Sequence, residues 1–545
     1  MKKKKWIDVI TFSPLLLLVL LPIINRLAGY LGQAADHPEI AIQKYVSIPL
    51  IGFSFGWAIF LGVLRNGWEL PSQWCLFMER RSSKIIVGAG SIFLVCFLTL
   101  SVLRYASLHS SSFDLGVYDQ KTWLMAGAPL SGLLFESARL HFQPIMILLG
   151  LIYKLSADPV ILEVFQTTAV LSGVIPLYFI ARRLLPWHLL LVTCMIYFLY
   201  PSVTFNASNE FHPDALYIPF MLWAFYFAED GRYAKAIIFA GIGAMAKEPY
   251  ILGAAFFGLY LCSEKKQYRT GLMTFAFYSL MFLAVVFLVL PHVNPTSPFY
   301  REFPVMESGN RGLATVFSML LTYKIKKIMF LYFLLFPLLF LPLFEWKRFL
   351  PAVPIIAISV LSTNDVRSNV DSQYAIGVFV PAFVALVFAL KKIETRYGLK
   401  YANAFAIFAL LMTFTFHIAH SASPLSLSFW KPGWSGSWHM SNYIETAHEK
   451  VIKEAILKIP ADPNVEVVSQ GNINSARLAH RYKYWTFPAY RESADYILLS
   501  LKGPFLVGDR INETAYFNEL NKIKSNPGFK LELERDGVLL FKKMS

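Results

Sequence analysis

The feature that decides the fold is a succession of apolar runs separated by turns and loops, and every second connection is a short turn that carries Lys or Arg. A hydrocarbon core of about 30 Å offers no water to the backbone, so a chain crosses it as helices of about 20 apolar residues. Runs of this kind lie near 7–31, 44–64, 84–104, 159–181, 188–205, 214–229, 233–246, 249–262, 270–291, 327–344, 349–362, 374–390 and 401–419. The sequence therefore predicts an all-α polytopic membrane domain of about thirteen transmembrane helices. Its 56% share of hydrophobic residues, over 545 positions, is well above that of a soluble globular protein.

Loop charge sets the expected topology. With the N-terminus in the cytoplasm, the inner turns are Arg65 to Arg81, Arg182-Arg183, Arg232, Lys265 to Arg269, Lys347-Arg348 and Lys391 to Lys400, each basic as the positive-inside rule requires. The stretches 105–158, 206–213, 292–326 and 363–373 then lie outside, together with everything after about residue 420. The expectation is a multi-pass protein of the cell inner (plasma) membrane with an extracytoplasmic C-terminal domain. Lys2 to Lys5 precede a first run too long for a signal peptide, so a retained helix is expected. The net charge of +15 reads as topology plus contact with anionic lipid or lipid phosphate, not as nucleic-acid binding. Cys75, Cys96, Cys194 and Cys262 form no CxxC pair, zinc spacing or disulfide framework.

Two stretches are too short to cross as straight helices. Residues 144–156 are expected as an amphipathic or re-entrant segment on the outer face. The pieces 233–246 and 249–262 are expected as a helical hairpin with Lys247-Glu248-Pro249 at its apex. Charge and irregular backbone at that depth require protein or water around them, so a polar cavity opening outward is predicted. Domain boundaries follow: 1–83, extra N-terminal helices and a cytoplasmic loop; 84–420, the membrane domain with its outer loop 105–158; 421–545, a small soluble α/β domain. In that last part a helix is expected over Ser441–Pro460 and strands over Val465–Ser469 and Asp495–Leu501. A final hairpin, Lys530–Glu534 with Val538–Lys542, turns at Arg535-Asp536-Gly537.

Candidate functional residues gather in the outer stretches. Asp114 and Asp119, in Phe113-Asp114-Leu115-Gly116-Val117-Tyr118-Asp119-Gln120, are five apart and do not share a helix face. A carboxylate there can act as general base toward an acceptor hydroxyl, ligate a divalent cation such as Mg or Mn through oxygen, or simply be solvated. Glu210, His212 and Asp214, in Asn209-Glu210-Phe211-His212-Pro213-Asp214, either cap the helix that follows or join His141 in a functional layer. Lys247 and Glu248 either neutralise one another or serve a site. Arg367, Arg301 and Arg311 are outer cations suited to phosphate or to interfacial anchoring. No Gly-rich nucleotide loop, HExxH or GxSxG occurs.

The order of these pieces resembles an uncharacterised polytopic family, domain-of-unknown-function family 2079, placed near the type C glycosyltransferases. The residues that carry the likeness are Phe113-Asp114-Leu115-Gly116 with Asp119-Gln120, His141-Phe142-Gln143-Pro144, Phe211-His212-Pro213-Asp214-Ala215, Lys247-Glu248, Arg367-Ser368 with Gln373-Tyr374, Ser423-Pro424-Leu425, and Ala494-Asp495-Tyr496-Ile497-Leu498-Leu499. The resemblance implies a membrane glycosyltransferase that moves a sugar from a polyprenyl-phosphate donor to an acceptor on the outer face, and direct displacement by an activated hydroxyl would make it inverting. It makes Asp114 the candidate base or metal partner, with Asp119 second; independently, the anionic head of a lipid-phosphate sugar calls for nearby cations, which makes Lys247, Arg367, His212 and His141 the candidate phosphate-binding groups. Glu210, Asp214 and Glu248 would support them. A transporter or lipid flippase is the rival reading, because short helices and midplane charges also mark alternating-access proteins. A non-catalytic envelope scaffold is the third.

Overall fold

A computed structural model describes residues 43–66, 72–294, 313–434, 437–507 and 510–544. Among them six helices are long and apolar enough to cross a membrane: Lys44–Arg65, Phe77–Ala106, Pro159–Leu184, Tyr268–Val293, Gln373–Tyr397 and Leu399–His420. The number rises to eight if each of two bent pairs is one span. Trp187–Leu199 and Pro201–Ser208 meet at 49°, where Tyr200 is extended ahead of a proline that has no N–H to give. Lys324–Leu338 and Leu341–Leu361 meet at 85°, where Leu339 and Phe340 both take positive φ. Three of the expected crossings are the shorter helices Tyr217–Glu229, Tyr233–Ala244 and Glu248–Ser263, of 13, 12 and 16 residues. The expected helix at 7–31 and the cations Arg301 and Arg311 lie outside the described residues.

Charge is collected into two layers at opposite ends of these helices. In the first, Arg183 meets Asp230 at 2.7 Å, Lys265 pairs with Glu229, Arg348 bridges Glu264 (2.8 Å) and Glu229 (3.4 Å), and Lys392 meets Glu345 at 2.9 Å. The second contains the apex of the hairpin, Met245–Lys247, between Tyr233–Ala244 and Glu248–Ser263. Here Arg104 meets Glu210 at 3.2 Å, and Tyr250 Oη donates to the Gln373 carbonyl at 3.4 Å. The basic residues Arg183, Lys265, Arg348 and Lys392, from four of the turns that the charge rule groups together, thus share one ion-paired layer.

Residues 133–153 lie on the second layer as two short helices, Leu133–Ala138 and Met146–Tyr153. The latter buries Met146, Leu149 and Tyr153 and exposes Leu148 and Leu151, the two-faced pattern of an interfacial helix.

The C-terminal part is a five-stranded sheet of order β2-β1-β3-β7-β6. Its strands are β1 (Val467–Ser469), β2 (Tyr484–Thr486), β3 (Tyr496–Ser500), β6 (Phe529–Arg535) and β7 (Val538–Lys543), and β4 (Leu506–Val507) with β5 (Arg510–Ile511) forms a separate ladder. β3 is buried throughout because it is central, parallel to β1 and antiparallel to β7. One face packs on helix Ala447–Lys458 and the other on helix Glu513–Lys524. The first of these starts at 447, later than the expected 441, because Thr446 and Glu449 close a capping box. β6 and β7 turn at Asp536 and Gly537, both at positive φ, the twist a two-residue hairpin requires.

This sheet domain grips the loop that follows helix Phe77–Ala106. Ser112 Oγ donates to the Gly471 carbonyl (3.0 Å), Gln120 Nε2 to the Arg481 carbonyl (3.0 Å), and Ser107 Oγ to the Asn442 carbonyl (2.9 Å). Replacing Gly537, at φ +78°, by valine forces a branched side chain into the left-handed region. The expected cost is about 1–2 kcal/mol, visible as roughly tenfold faster amide exchange confined to β6 and β7.

Candidate functional site

The site is assembled around an extended segment, Asn209–His212, between the bent helix Pro201–Ser208 and the 3-10 turn Pro213–Leu216. Pro213 drives His212 into an extended conformation, and an extended buried backbone must find partners away from its own helix. Helix Pro159–Ser172, started by the Asp158 cap and Pro159, supplies them. Gln166 accepts the His212 N–H (2.6 Å) and donates to the Asn209 and Glu210 carbonyls (2.6 and 3.2 Å), and Glu163 accepts the Phe211 N–H (3.2 Å). The side chains of the segment are thereby released from capping, and His212 makes no side-chain cap bond.

Glu210 faces Arg104 through Oε1 and takes the Leu115 N–H on Oε2 at 3.4 Å, which pins the start of helix Leu115–Gly127. His212 lies between two acceptors: Nδ1 is 2.8 Å from the Glu210 carbonyl, and Nε2 is 3.3 Å from Asp114 Oδ1. An imidazolium can donate to both acceptors at once, so this setting favours the protonated ring facing the carboxylate. Burial acts to lower the His212 pKa, but the Asp114 charge overrides it and the net shift is upward. For Asp114, burial acts upward while His212, Arg104 and Lys247 hold the carboxyl below its usual range. Asp114 stands at the N-cap of its helix without making a cap bond. Its side chain is 46% exposed against 7% for His212, so the carboxylate is the accessible member of the pair.

Asp214, two residues on, is buried between Lys247 Nζ at 3.4 Å and Tyr250 Oη at 2.9 Å. Lys247 Nζ and the Arg367 guanidinium both lie over the Tyr374 ring, at 5.3 and 4.7 Å from its centroid. Glu248 opens helix Glu248–Ser263 and takes His141 Nδ1 (3.1 Å) and the Phe142 N–H (2.9 Å) on one oxygen. Lys247 and Glu248 therefore do not neutralise each other; each is paired with a different part of the chain. Asp114, Glu210, His212, Asp214 and Lys247 form one connected cluster, with Arg367 joined through Tyr374 and His141 through Glu248.

Asp119 belongs elsewhere. It is fully buried, and its Oδ1 accepts from His480 Nε2 (2.9 Å) and Tyr153 Oη (3.1 Å). The expected cation site shared by Asp114 and Asp119 does not fit this arrangement, since Asp119 has turned to the sheet domain while Asp114 faces His212. Among the described residues no group of three or more His, Cys, Asp or Glu side chains is placed to hold a metal ion.

Sequence reasoning missed Arg104, Glu163, Gln166 and Lys121. Lys121 Nζ donates to the Ser137 carbonyl (2.9 Å) and Gln143 Oε1 (2.8 Å), and burial pushes its pKa down to about 7. Gln143 in turn donates to Tyr118 Oη, whose ring stands edge-on to His212 at 5.6 Å. The signal was present for Glu163 and Gln166, an acid and an amide inside an apolar run.

The family described as Predicted membrane protein (DUF2079) matches residues 104–540. No curated protein matches the chain. Among solved structures, the chain is similar to ArnT from Cupriavidus metallidurans in the apo state, with TM-score 0.45 and 13% identity over 83% of this chain and 98% of that one. It is similar to the same protein bound to undecaprenyl phosphate, with TM-score 0.48 and 11% identity over 84% and 97%. A third is the Archaeoglobus fulgidus oligosaccharyltransferase AglB in complex with an inhibitory peptide and a dolichol-phosphate, with TM-score 0.39 and 12% identity over 77% and 70%.

The folded pKa of His212 is raised above 6.5, so its contribution to stability is complete below that value and is lost as pH rises through the folded pKa. That of Asp114 is depressed below 3.8, so its contribution is complete above 3.8 and is lost as pH falls through the folded pKa. Asp114→Asn, which removes the charge that raises it, should lower the His212 pKa, read by NMR on histidine-labelled protein. Lys247→Met, which leaves Asp214 buried and unpaired, should destabilise the protein by about 3–5 kcal/mol. The double variant Lys247→Met/Asp214→Leu should lose less, as measured by thermal unfolding in detergent.

Proposed function

We propose that this chain, which belongs to the DUF2079 family of predicted membrane proteins, is a membrane glycosyltransferase that moves a sugar from a polyprenyl-phosphate donor to an acceptor on the outer face, with inversion. The observation that carries the reading is the Asp114–His212 pair. An accessible carboxylate is kept ionised by a buried imidazolium, in the same cluster as Lys247 and beside Arg367.

In this reaction the acceptor oxygen attacks the anomeric carbon while the bond from that carbon to the phosphate oxygen breaks. The bonding pair leaves with the phosphate, and the acceptor proton passes to Asp114. A single displacement of this kind inverts the anomeric centre. Asp114 is in its basic form at neutral pH because His212, Arg104 and Lys247 stabilise the charge. The same stabilisation lowers its proton affinity, so transfer occurs late, once the attacking oxygen has become acidic. Fixed positive charge from Lys247 and Arg367 favours the departing phosphate, and the planar fork of Arg367 matches two phosphate oxygens. Tyr374 sets the direction of both cations. The positive-inside rule makes the ion-paired layer of Arg183, Lys265, Arg348 and Lys392 cytoplasmic, which turns the Asp114 layer and the sheet domain outward. The chain would then lie in the inner membrane with a cytoplasmic N-terminus.

The test is turnover of a panel of polyprenyl-phosphate sugars by the full-length protein in lipid, followed as release of polyprenyl phosphate. Asp114→Asn should reduce turnover by about 10²–10⁴ with polyprenyl-phosphate binding retained. Turnover unchanged by that substitution removes Asp114 from the mechanism.

A further inference from the structure

A groove that the proposed reaction does not use lies between the spans Phe77–Ala106 and Pro159–Leu184. The two pack together toward the Asp114 end, where Phe77–Ala106 meets Pro159–Ser172, and leave a concavity of about 460 Å³ toward the other end. That volume is in the range of a small-molecule site. Its walls include Ile86, Val87, Leu94, Leu171, Ile175 and Phe179, and no charged residue lines it among those described. Ser83, at the far end of the groove, and Arg104, which meets Glu210, stand about 30 Å apart along the helix axis at 1.5 Å per residue. Only 22% of the apolar window of Phe77–Ala106 is buried within the protein, so the groove opens on a surface that faces hydrocarbon.

Charge stands at the mouth in register with the walls. On Phe77–Ala106 the wall residues Leu94, Ser91 and Val87 follow one stripe of the helix at steps of three and four, and the same stripe continues to Lys84 and Arg80. On Pro159–Leu184 the wall residues Leu171, Ile175 and Phe179 continue in the same way to Arg182. The Arg182 guanidinium lies over the ring of the wall residue Tyr178, 5.9 Å from its centroid, whereas its neighbour Arg183 is paired with Asp230 at 2.7 Å. Arg80, Lys84 and Arg182 are all exposed. Glu79 is the acid next to Arg80, so the mouth as a whole is positive. An apolar slot in the bilayer that ends in a cationic rim matches a molecule with a hydrocarbon chain and an anionic head.

Independently of the transferase reading, we propose that this groove is a binding site for one anionic diacyl phospholipid of the bilayer, with its phosphate at Arg80, Lys84 and Arg182 and an acyl chain along the wall between Ile86 and Ile175. The planar fork of an arginine pairs with two phosphate oxygens at once. A zwitterionic lipid brings an ammonium group to the same cations and is held less tightly. A polyprenyl phosphate is the poorer occupant, because Lys247, the cation assigned to its phosphate, stands in the layer at the opposite end of the helices. The bound lipid fills the space that the two spans leave open.

The experiment uses delipidated full-length protein in detergent, with retained lipid counted by native mass spectrometry. The probes are dioleoyl phosphatidylglycerol, dioleoyl phosphatidylcholine, undecaprenyl phosphate and water-soluble glycerol phosphate. The expected result is saturable retention of one phosphatidylglycerol, about tenfold tighter than phosphatidylcholine, that glycerol phosphate does not displace. Arg80→Gln, Lys84→Gln and Arg182→Gln should each weaken it about fivefold. Lys400→Gln, which removes a cation from a different basic turn, should leave it unchanged. Ser91→Phe, which fills the groove from its wall, should abolish saturable retention. All five positions are exposed, so the unfolding temperature of the lipid-free variants should match that of the parent, and a loss of lipid then reports the site and not the fold. Equal affinity for phosphatidylglycerol and phosphatidylcholine overturns the proposal, as does a loss in Lys400→Gln as large as that in Arg182→Gln. So does retention undiminished by Ser91→Phe, displacement by glycerol phosphate, or tighter retention of undecaprenyl phosphate that competes for the same place.

Discussion

Everything at the site depends on one amide. Gln166 satisfies three backbone groups of the Asn209–His212 segment from the flank of a neighbouring helix. Without that support an extended strip of chain would leave buried N–H and C=O groups unpaired, at about 1–3 kcal/mol each. With it, the segment needs neither helix nor sheet, and its side chains are free to face other elements. Glu210 turns to Arg104 and the start of the Asp114 helix, His212 to Asp114 itself, and Asp214 to Lys247. Alternate residues of the segment and of the turn that follows it thus fasten Arg104, the start of the Asp114 helix and Lys247.

Pairing across distant segments is also how the protein tolerates so much buried charge. Lys247 and Glu248 are sequence neighbours of opposite sign, yet each is matched with a partner more than thirty residues away, Asp214 and His141. Adjacent residues at a helix start point in different directions, so mutual neutralisation would have required a distorted backbone. A buried ion pair contributes little net stability, but removing either partner is costly. The cluster therefore ties together elements that are distant in the sequence.

How much of this was legible in the sequence depends on the range of the interaction. The membrane domain, the apex at Lys247 and the grouping of basic turns follow from hydropathy and loop charge, both local properties. The β6–β7 hairpin follows from Asp536-Gly537, whose left-handed turn is a local signal too. Among the candidate residues, Asp114, His212, Asp214 and Lys247 stood out as charges beside apolar runs, and they meet. Asp119 looked like a companion of Asp114 because it is near in sequence, but one and a half helical turns carry it to the opposite side, where His480 waits. That partner is 361 residues away, and no local pattern announces it. β2 and helix Glu513–Lys524 were missed for a related reason. The strand is only three residues long, and the helix reads as mostly polar until its buried Tyr516, Leu520 and Ile523 are seen against the sheet.

The grip of the sheet domain on the loop after Ala106 has a consequence for how the protein is made. Gly471, His480 and Arg481 hold the stretch from Ser112 to Gln120, yet they are synthesised more than 340 residues after it. A ribosome feeding this chain into a bilayer inserts most of the helices long before it delivers the piece that clamps the first loop. The nascent protein thus waits with its Asp114 helix unclasped until residues 471–481 have been made and folded, so the contacts that hold this helix form only after the membrane helices between them.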